Sequence, residues 1–188
     1  TILTGGQVNA SAMGYQGRDN AQGDGPGGGG DGVACGGGGG AGYGGEGGDG
    51  WGCDDEGPTY GSEEFPIEAG SGGGPFRNAE GGDGGGFIKI NITDTLLING
   101  SIDAFGTPGA TDDSHYGGGG SGGGIYIITN KLLGSGSINV TGSEGGDAGN
   151  NDGGGGGGGR IAVYYKQKDW KGFNVSEGGD KNTNAQQG

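Results

Sequence analysis

Apolar and polar positions alternate in only a few places along this chain, and those places take two recurring forms. The first is a short apolar–Asn/Asp–apolar triplet. It occurs in "GGQVNAS" (5–11), "NGSIDAF" (99–105), "GSGSINVT" (134–141) and "WKGFNVS" (170–176). Alternation with period two is the mark of a strand with one buried face. It turns Asn9, Asp103, Asn139 and Asn174 outward as equivalent positions.

The second form always follows glycines: "GGGFIKINI" (84–92), "GGGIYIITN" (122–130) and "GGGRIAVYY" (157–165). With the glycines aligned, Ile88, Tyr126 and Ile161 fall in one column and Ile90, Ile128 and Val163 in the next. Strand propensity is high in all three. The unit reads as glycine run, first strand, turn, second strand, polar loop. First strands starting at 87, 125 and 160 give spacings of 38 and 35 residues.

Repeats of this length bury their apolar face by stacking on neighbours. The expected fold is therefore all-β with essentially no α-helix. It is a short β-solenoid-like stack of strand pairs with glycine-rich loops, which can pack side by side as polyglycine II helices. Without side chains, extended chains of three residues per turn approach closely. Disordered glycine runs are the alternative, but runs at 81–86, 117–124 and 153–159 recur in step with the strands. The expected organisation is a first short strand in 1–13 and a glycine-rich insert over 14–83. Three repeats follow (84–121, 122–156, 157–178), then a linker over 179–188. The start at Thr1 reads as a processed product or an internal segment.

Composition sharpens this picture. Glycine supplies 61 of 188 residues, yet there are only five prolines and no triplet register, which excludes collagen. Leu, Ile, Val and Phe number 27, and 20 of them lie in 87–105, 125–140 and 161–175. The core is thus narrow and locally dense. A net charge of −14 disfavours nucleic acid and anionic membrane surfaces as partners. No apolar run reaches transmembrane length.

Cys35 and Cys53 are the only cysteines. A disulfide between them would restrain a loop that packing cannot hold, contributing about 3 kcal/mol; two free thiols are the alternative. Asn-X-Ser/Thr sequons begin at Asn9, Asn91, Asn99, Asn139 and Asn174. Together with a disulfide, five sequons favour an extracellular or cell-surface glycoprotein. The outward Asn9, Asn139 and Asn174 suggest a stripe of N-linked glycans along one face.

Several stretches touch known motifs. "YGSEEFP", "GGDGGGFIKINI", "INGSIDAFG", "GGGGSGGGIYIITNKLLGSGSINVTGSEGG" and "GGGGGGGRIAVYY", in that order, resemble a glycine-rich module of large predicted cell-surface and secreted proteins from plants, protists and some microbes. The likeness covers most of the chain and is strongest from 60 to 178. It implies extracellular structural or adhesive roles and no catalytic residues. A looser likeness, with a different motif order, to the glycine-rich ectodomain of anaplastic-lymphoma-type receptor kinases implies ligand recognition.

"GGEGGDGWG" (44–52) fits one copy of a calcium-binding nonapeptide, with Asp49 as ligand. That motif works in consecutive copies, so Asp49 is a weak calcium candidate. The wider acidic cluster adds Glu46, Asp54, Asp55 and Glu56. The lone His115 sits in a polar loop, and no acid pair among 23 carboxylates stands out for glycoside hydrolysis.

The expected function is non-enzymatic. The chain reads as a structural subunit of an extracellular filament, coat or matrix, with copies of itself stacked head to tail as partners. The alternative is an adhesin or receptor module using Tyr43, Trp51, Tyr60, Phe65 and Phe76 as contacts. Ice binding is a third reading.

Overall fold

The computed structural model describes residues 1–34, 36–112, 114–147 and 152–179. Nine strands occur among them: β1 (Gln7–Asn9), β2 (Phe87–Ile98), β3 (Ser101–Asp103), β4 (Thr111–Asp112), β5 (His115–Tyr116), β6 (Gly124–Gly134), β7 (Ser137–Asn139), β8 (Arg160–Trp170) and β9 (Phe173–Val175). The helical content is one 3-10 turn, Gly32–Ala34.

Long and short strands sort into separate parallel sheets. The long ones form β2-β6-β8 and the short ones β1-β3-β7-β9, while β4 and β5 make a small antiparallel pair. Each glycine-led unit contributes one long and one short strand, so identical columns line up. Ile88, Ile125 and Ile161 are in register, as are Ile90, Ile127 and Val163. In the other sheet Val8, Ile102, Ile138 and Asn174 form one column. The inward faces of both sheets meet in one cluster containing Leu96, Ile98, Ile102, Leu132, Ile138 and Trp170.

These registers correct the sequence alignment by one residue. Gly124 is already in β6, so Ile125 rather than Tyr126 stands beside Ile88, and Arg160 shares its row with Phe87 and Gly124. Asn174 stands beside Ile138, not beside Asn139, whose partner is Val175. That column therefore runs Asn9, Asp103, Asn139 and then Val175, and it is not an outward stripe: only Asn9 is exposed, while Asp103 is buried and accepts hydrogen bonds from the Gln7 and Ser101 side chains.

The expected solenoid does not form. Strands hold 31% of the residues, about 70% lie in neither strand nor helix, and the sheets are short and separate with no closed barrel or solenoid. The reason lies in the glycine runs, which bond sideways in many directions instead of winding turn upon turn. Along 117–123, successive amides take three different acceptors and then repeat. Gly117, Gly120 and Gly123 donate to the carbonyls of Ala110, Thr107 and Ala104. Gly118 and Ser121 donate to Gly74 and Ser71, while Gly119 and Gly122 donate to Gly154 and Gly157.

Three other segments donate back. Gly38 and Ala41 bond the carbonyls of Tyr116 and Gly119; Gly82 and Gly85 bond Gly118 and Ser121; Gly146 and Ser143 bond Gly117 and Gly120. A period of three residues is that of an extended three-per-turn chain. One run thus holds six neighbours, three as donor and three as acceptor.

Such packing has no room for side chains. A Cβ on Gly118 would lie 1.9 Å from the Gly39 oxygen, and one on Gly122 would lie 1.8 Å from the Val140 oxygen. The insert 14–83 is part of this bonding: its residues 38–41 and 71–74 both flank the central run.

Gly120→Ala, whose Cβ would meet the Asp83 oxygen at 2.1 Å, is expected to destabilise the fold by about 3 kcal/mol or more. Gly5→Ala, at a positive φ of 79° with nothing within 4 Å, is expected to cost only about 1 kcal/mol. Denaturant unfolding of both variants checks the contrast; equal losses would contradict it.

Candidate functional site

The outer face of β2-β6-β8 is where the insert meets the sheet with side chains. Gly124 leaves a gap in its row, and residues 66–68 fill it: a Cβ there would come within 2.5 Å of the Glu68 oxygen and 3.1 Å of the Tyr43 hydroxyl. Arg160, next in that row, reaches across the gap. Its Nε–H donates to the Tyr60 carbonyl at 3.1 Å and its Nη2 to the Tyr43 carbonyl at 3.4 Å. Its Nη1 lies 3.5 Å from Glu63, with only 12% of the Arg160 side chain exposed. The guanidinium also sits over the Tyr43 ring.

Tyr43 and Tyr60 pack ring on ring at 4.7 Å. The Tyr60 hydroxyl donates to the Ala69 carbonyl and accepts from Ser71 Oγ at 3.0 Å. Burial pushes both phenols above their ordinary pKa, so both remain protonated at neutral pH. This corner is a clamp that fastens the insert to the sheet.

Beyond the clamp lies an aromatic patch. Phe65 stacks nearly parallel to Tyr164 at 6.5 Å and meets Tyr126 edge-on at 6.1 Å. Lys89 Nζ sits over the Tyr126 ring, and the Tyr164 hydroxyl donates to the Glu64 carbonyl at 2.9 Å. Phe65 is 53% exposed, Ile67 56% and Tyr164 43%.

Of the expected contact residues, Tyr43 and Phe76 are buried and Tyr60 is half-buried, so only Trp51 and Phe65 reach solvent. Tyr126 and Tyr164 were missed. Their signal was the alternation in "IYI" and "VYY"; the one-residue slip in β6 hid it for Tyr126, while Tyr164 already alternated with Ile161 and Val163. His115 packs edge-on against Phe76 at 5.4 Å, with Arg77 Nη1 3.3 Å from its Nε2.

The acidic segment forms a second corner. The Gly50 amide donates to Asp55 Oδ1 at 2.9 Å. Asp49 is pushed up to about 6, first by burial, then by its hydrogen bond and charge contact with Glu56. Glu56 moves down because that bond favours its charged form. Burial also raises Asp55. Asp49 is thus paired with a neighbouring carboxyl, and among the described residues no three His, Cys, Asp or Glu side chains converge as metal ligands. Cys53, beside this corner, is disulfide-bonded; Cys35 lies outside the described residues.

The sequons separate by position. Asn9, Asn91 and Asn174 are exposed, on β1, β2 and β9; Asn139 on β7 and Asn99 in the β2–β3 turn are half-buried. Asn139 Oδ1 accepts from the Thr141 amide at 2.9 Å and from its hydroxyl. Asn99 Oδ1 accepts from the Ser135 amide at 3.2 Å. The Ser11 amide donates to Asn9 Oδ1 at 2.7 Å.

Between the ordinary aspartate value and about 6, the folded chain holds a proton on Asp49 that the unfolded chain has released. Stability falls as pH rises through that window, and the opposite shift of Glu56 offsets part of the fall. Asp49→Asn is expected to raise Tm near pH 7 and to change it little near pH 4; an equal shift at both would contradict the pairing. Arg160→Ala, which strands two carbonyls, is expected to cost about 2–3 kcal/mol in chemical denaturation. Arg160→Lys is expected to recover only part of it, and full recovery would show that charge alone matters.

Comparison with known protein families, characterised proteins and solved structures found no match.

Proposed function

We propose that this chain is a non-enzymatic structural module of an extracellular coat or matrix, a stiff body that carries glycans. The observation that supports this most is the glycine packing. A run bonded to six neighbours through its backbone resists bending in every lateral direction without needing a large apolar core. A disulfide-bonded Cys53 suits an oxidising compartment. The charge of −14 favours solubility and argues against nucleic acid as a partner.

Head-to-tail stacking through bare sheet edges is the competing arrangement. Against it, the last unit replaces apolar columns with polar residues. Lys168 stands in line with Leu96 and Leu132, and Asn174 in line with Ile102 and Ile138.

A binding module is the second reading, favoured by the exposed Phe65 and Tyr164 rings. Near-parallel aromatic faces beside Lys89 and Glu63 suit a sugar ring, whose C–H groups lie on the rings while its hydroxyls meet the charges.

An antibody against the chain is expected to find it in the wall or matrix fraction of its native source; recovery only from the cytosol would overturn the structural reading. The second reading predicts glycan-array binding that Phe65→Ala lowers at least tenfold, and identical profiles for both proteins would remove it.

A further inference from the structure

The exposed rings on the outer face of β2-β6-β8 share that face with a sequon. Alternate residues of a strand point to the same side, and neighbours in register across a parallel sheet do too. Asn91 is in register with Ile128, and Ile128 with Tyr164. Lys89, Tyr126 and Ala162 form the adjacent row, two residues back. The alternate residues Ile88, Ile125 and Ile127 belong to the buried cluster, so these two rows face outward. Phe65 of the insert lies against Tyr126 and Tyr164, which meet each other edge-on at 5.8 Å.

Asn91 begins the triplet Asn91-Ile92-Thr93, and both Asn91 and Thr93 are exposed. One half-buried residue, Ile128, stands between Asn91 and Tyr164. Two strand spacings put their backbones about 10 Å apart, a gap that an asparagine side chain and two sugars can span. No other sequon asparagine has a ring in its row. Asn9 and Asn139 share theirs with Asp103 and Val175, Asn174 stands beside Ile138, and Asn99 lies in the β2–β3 turn. Lys89 is exposed on the same strand and face as Asn91, with its Nζ 5.6 Å from the centre of the Tyr126 ring.

We propose that Asn91 is N-glycosylated and that the first sugars of its glycan lie on the Phe65 and Tyr164 rings, so the chain's own glycan covers the aromatic patch. The C–H face of a sugar rests on an aromatic face, and the Lys89 ammonium meets the hydroxyls and amide carbonyl at its rim. The inference rests on the extracellular reading above, since the transferase and its donor belong to the secretory pathway. The step joins Asn91 Nδ2 to the anomeric carbon of a phosphate-activated oligosaccharide donor. The amide loses one proton, the donor's carbon–oxygen bond breaks, and the phosphate ester leaves with the electron pair. Once attached, the glycan ties the insert to the sheet from outside, as Arg160 does beneath it.

The test secretes the full chain, behind a heterologous leader, from a eukaryotic host, and compares it with the same chain made without glycosylation. Peptide mass mapping is expected to find glycan on Asn91. Thr93→Ala, which removes this sequon alone, is expected to lower Tm by about 2–4 °C in the glycosylated protein and to change it little in the bare one. In a Phe65→Ala background that loss is expected to fall by at least half. Should Phe65→Ala not be secreted, Phe65→Leu removes the ring while keeping an apolar side chain. A bare Asn91, equal Tm losses with and without glycosylation, or a loss unchanged by removal of the Phe65 ring would each overturn the proposal. So would Phe65-dependent binding of a free oligosaccharide by protein carrying glycan on Asn91. Because the leader imposes secretion, those results count against this inference alone; the native location decides the extracellular reading.

Discussion

A buried peptide group must find a hydrogen-bond partner, and in this protein the backbone meets that demand largely on its own. The glycine runs have no side chains to hide in a core. They come close enough for amides and carbonyls to bond in three directions per turn, as the 117–123 run does with its six neighbours. The two parallel sheets, the insert and the Arg160 clamp all depend on this packing. It sets how far the sheets extend, because a chain that bonds sideways does not go on to wind into a regular stack. It also fixes where side chains are tolerated. Ser71 and Ser121 are fully buried, and the Ser71 amide bonds Ser121 Oγ at 2.8 Å, so the small polar residues inside the lattice are themselves partners.

The strands were legible because period-two alternation survives even in a glycine-rich background. "FIKINI", "INGSIDAF" and "SINV" all lie in or overlap observed strands. Register was less legible. Counting back from the glycines puts the start of β6 one residue late, since Gly124 is both the last glycine of its run and the first residue of the strand. That single shift put Tyr126 on the wrong face, and the same kind of slip placed Asn174 in the wrong column. The solenoid expectation failed for a different reason. Spacing along the chain shows that units repeat, but not which segment each amide reaches. The partners of 117–123 lie as far away as Ala41 and Gly157, and nothing in a glycine run names its neighbour.

Chemistry divides along the same line. The five sequons are visible as triplets, but only the fold shows that Asn9, Asn91 and Asn174 are exposed while Asn99 and Asn139 are half-buried. The acidic segment reads as a possible calcium loop; in the fold Asp49 and Glu56 shift one another's protonation in opposite directions. The aromatic residues read as contacts, whereas Tyr43 and Tyr60 hold the insert in place beside Arg160. What faces outward includes one small aromatic patch and the exposed sequon asparagines Asn9, Asn91 and Asn174.

The central claim is that the glycine runs are ordered by backbone bonding to the same degree as the strands. Residue-resolved amide hydrogen exchange tests it most directly. The account predicts that Gly118, Gly120 and Gly122 exchange as slowly as Ile125 and Ile127 of β6. Fast exchange across 117–123 alongside protected β6 amides would contradict it.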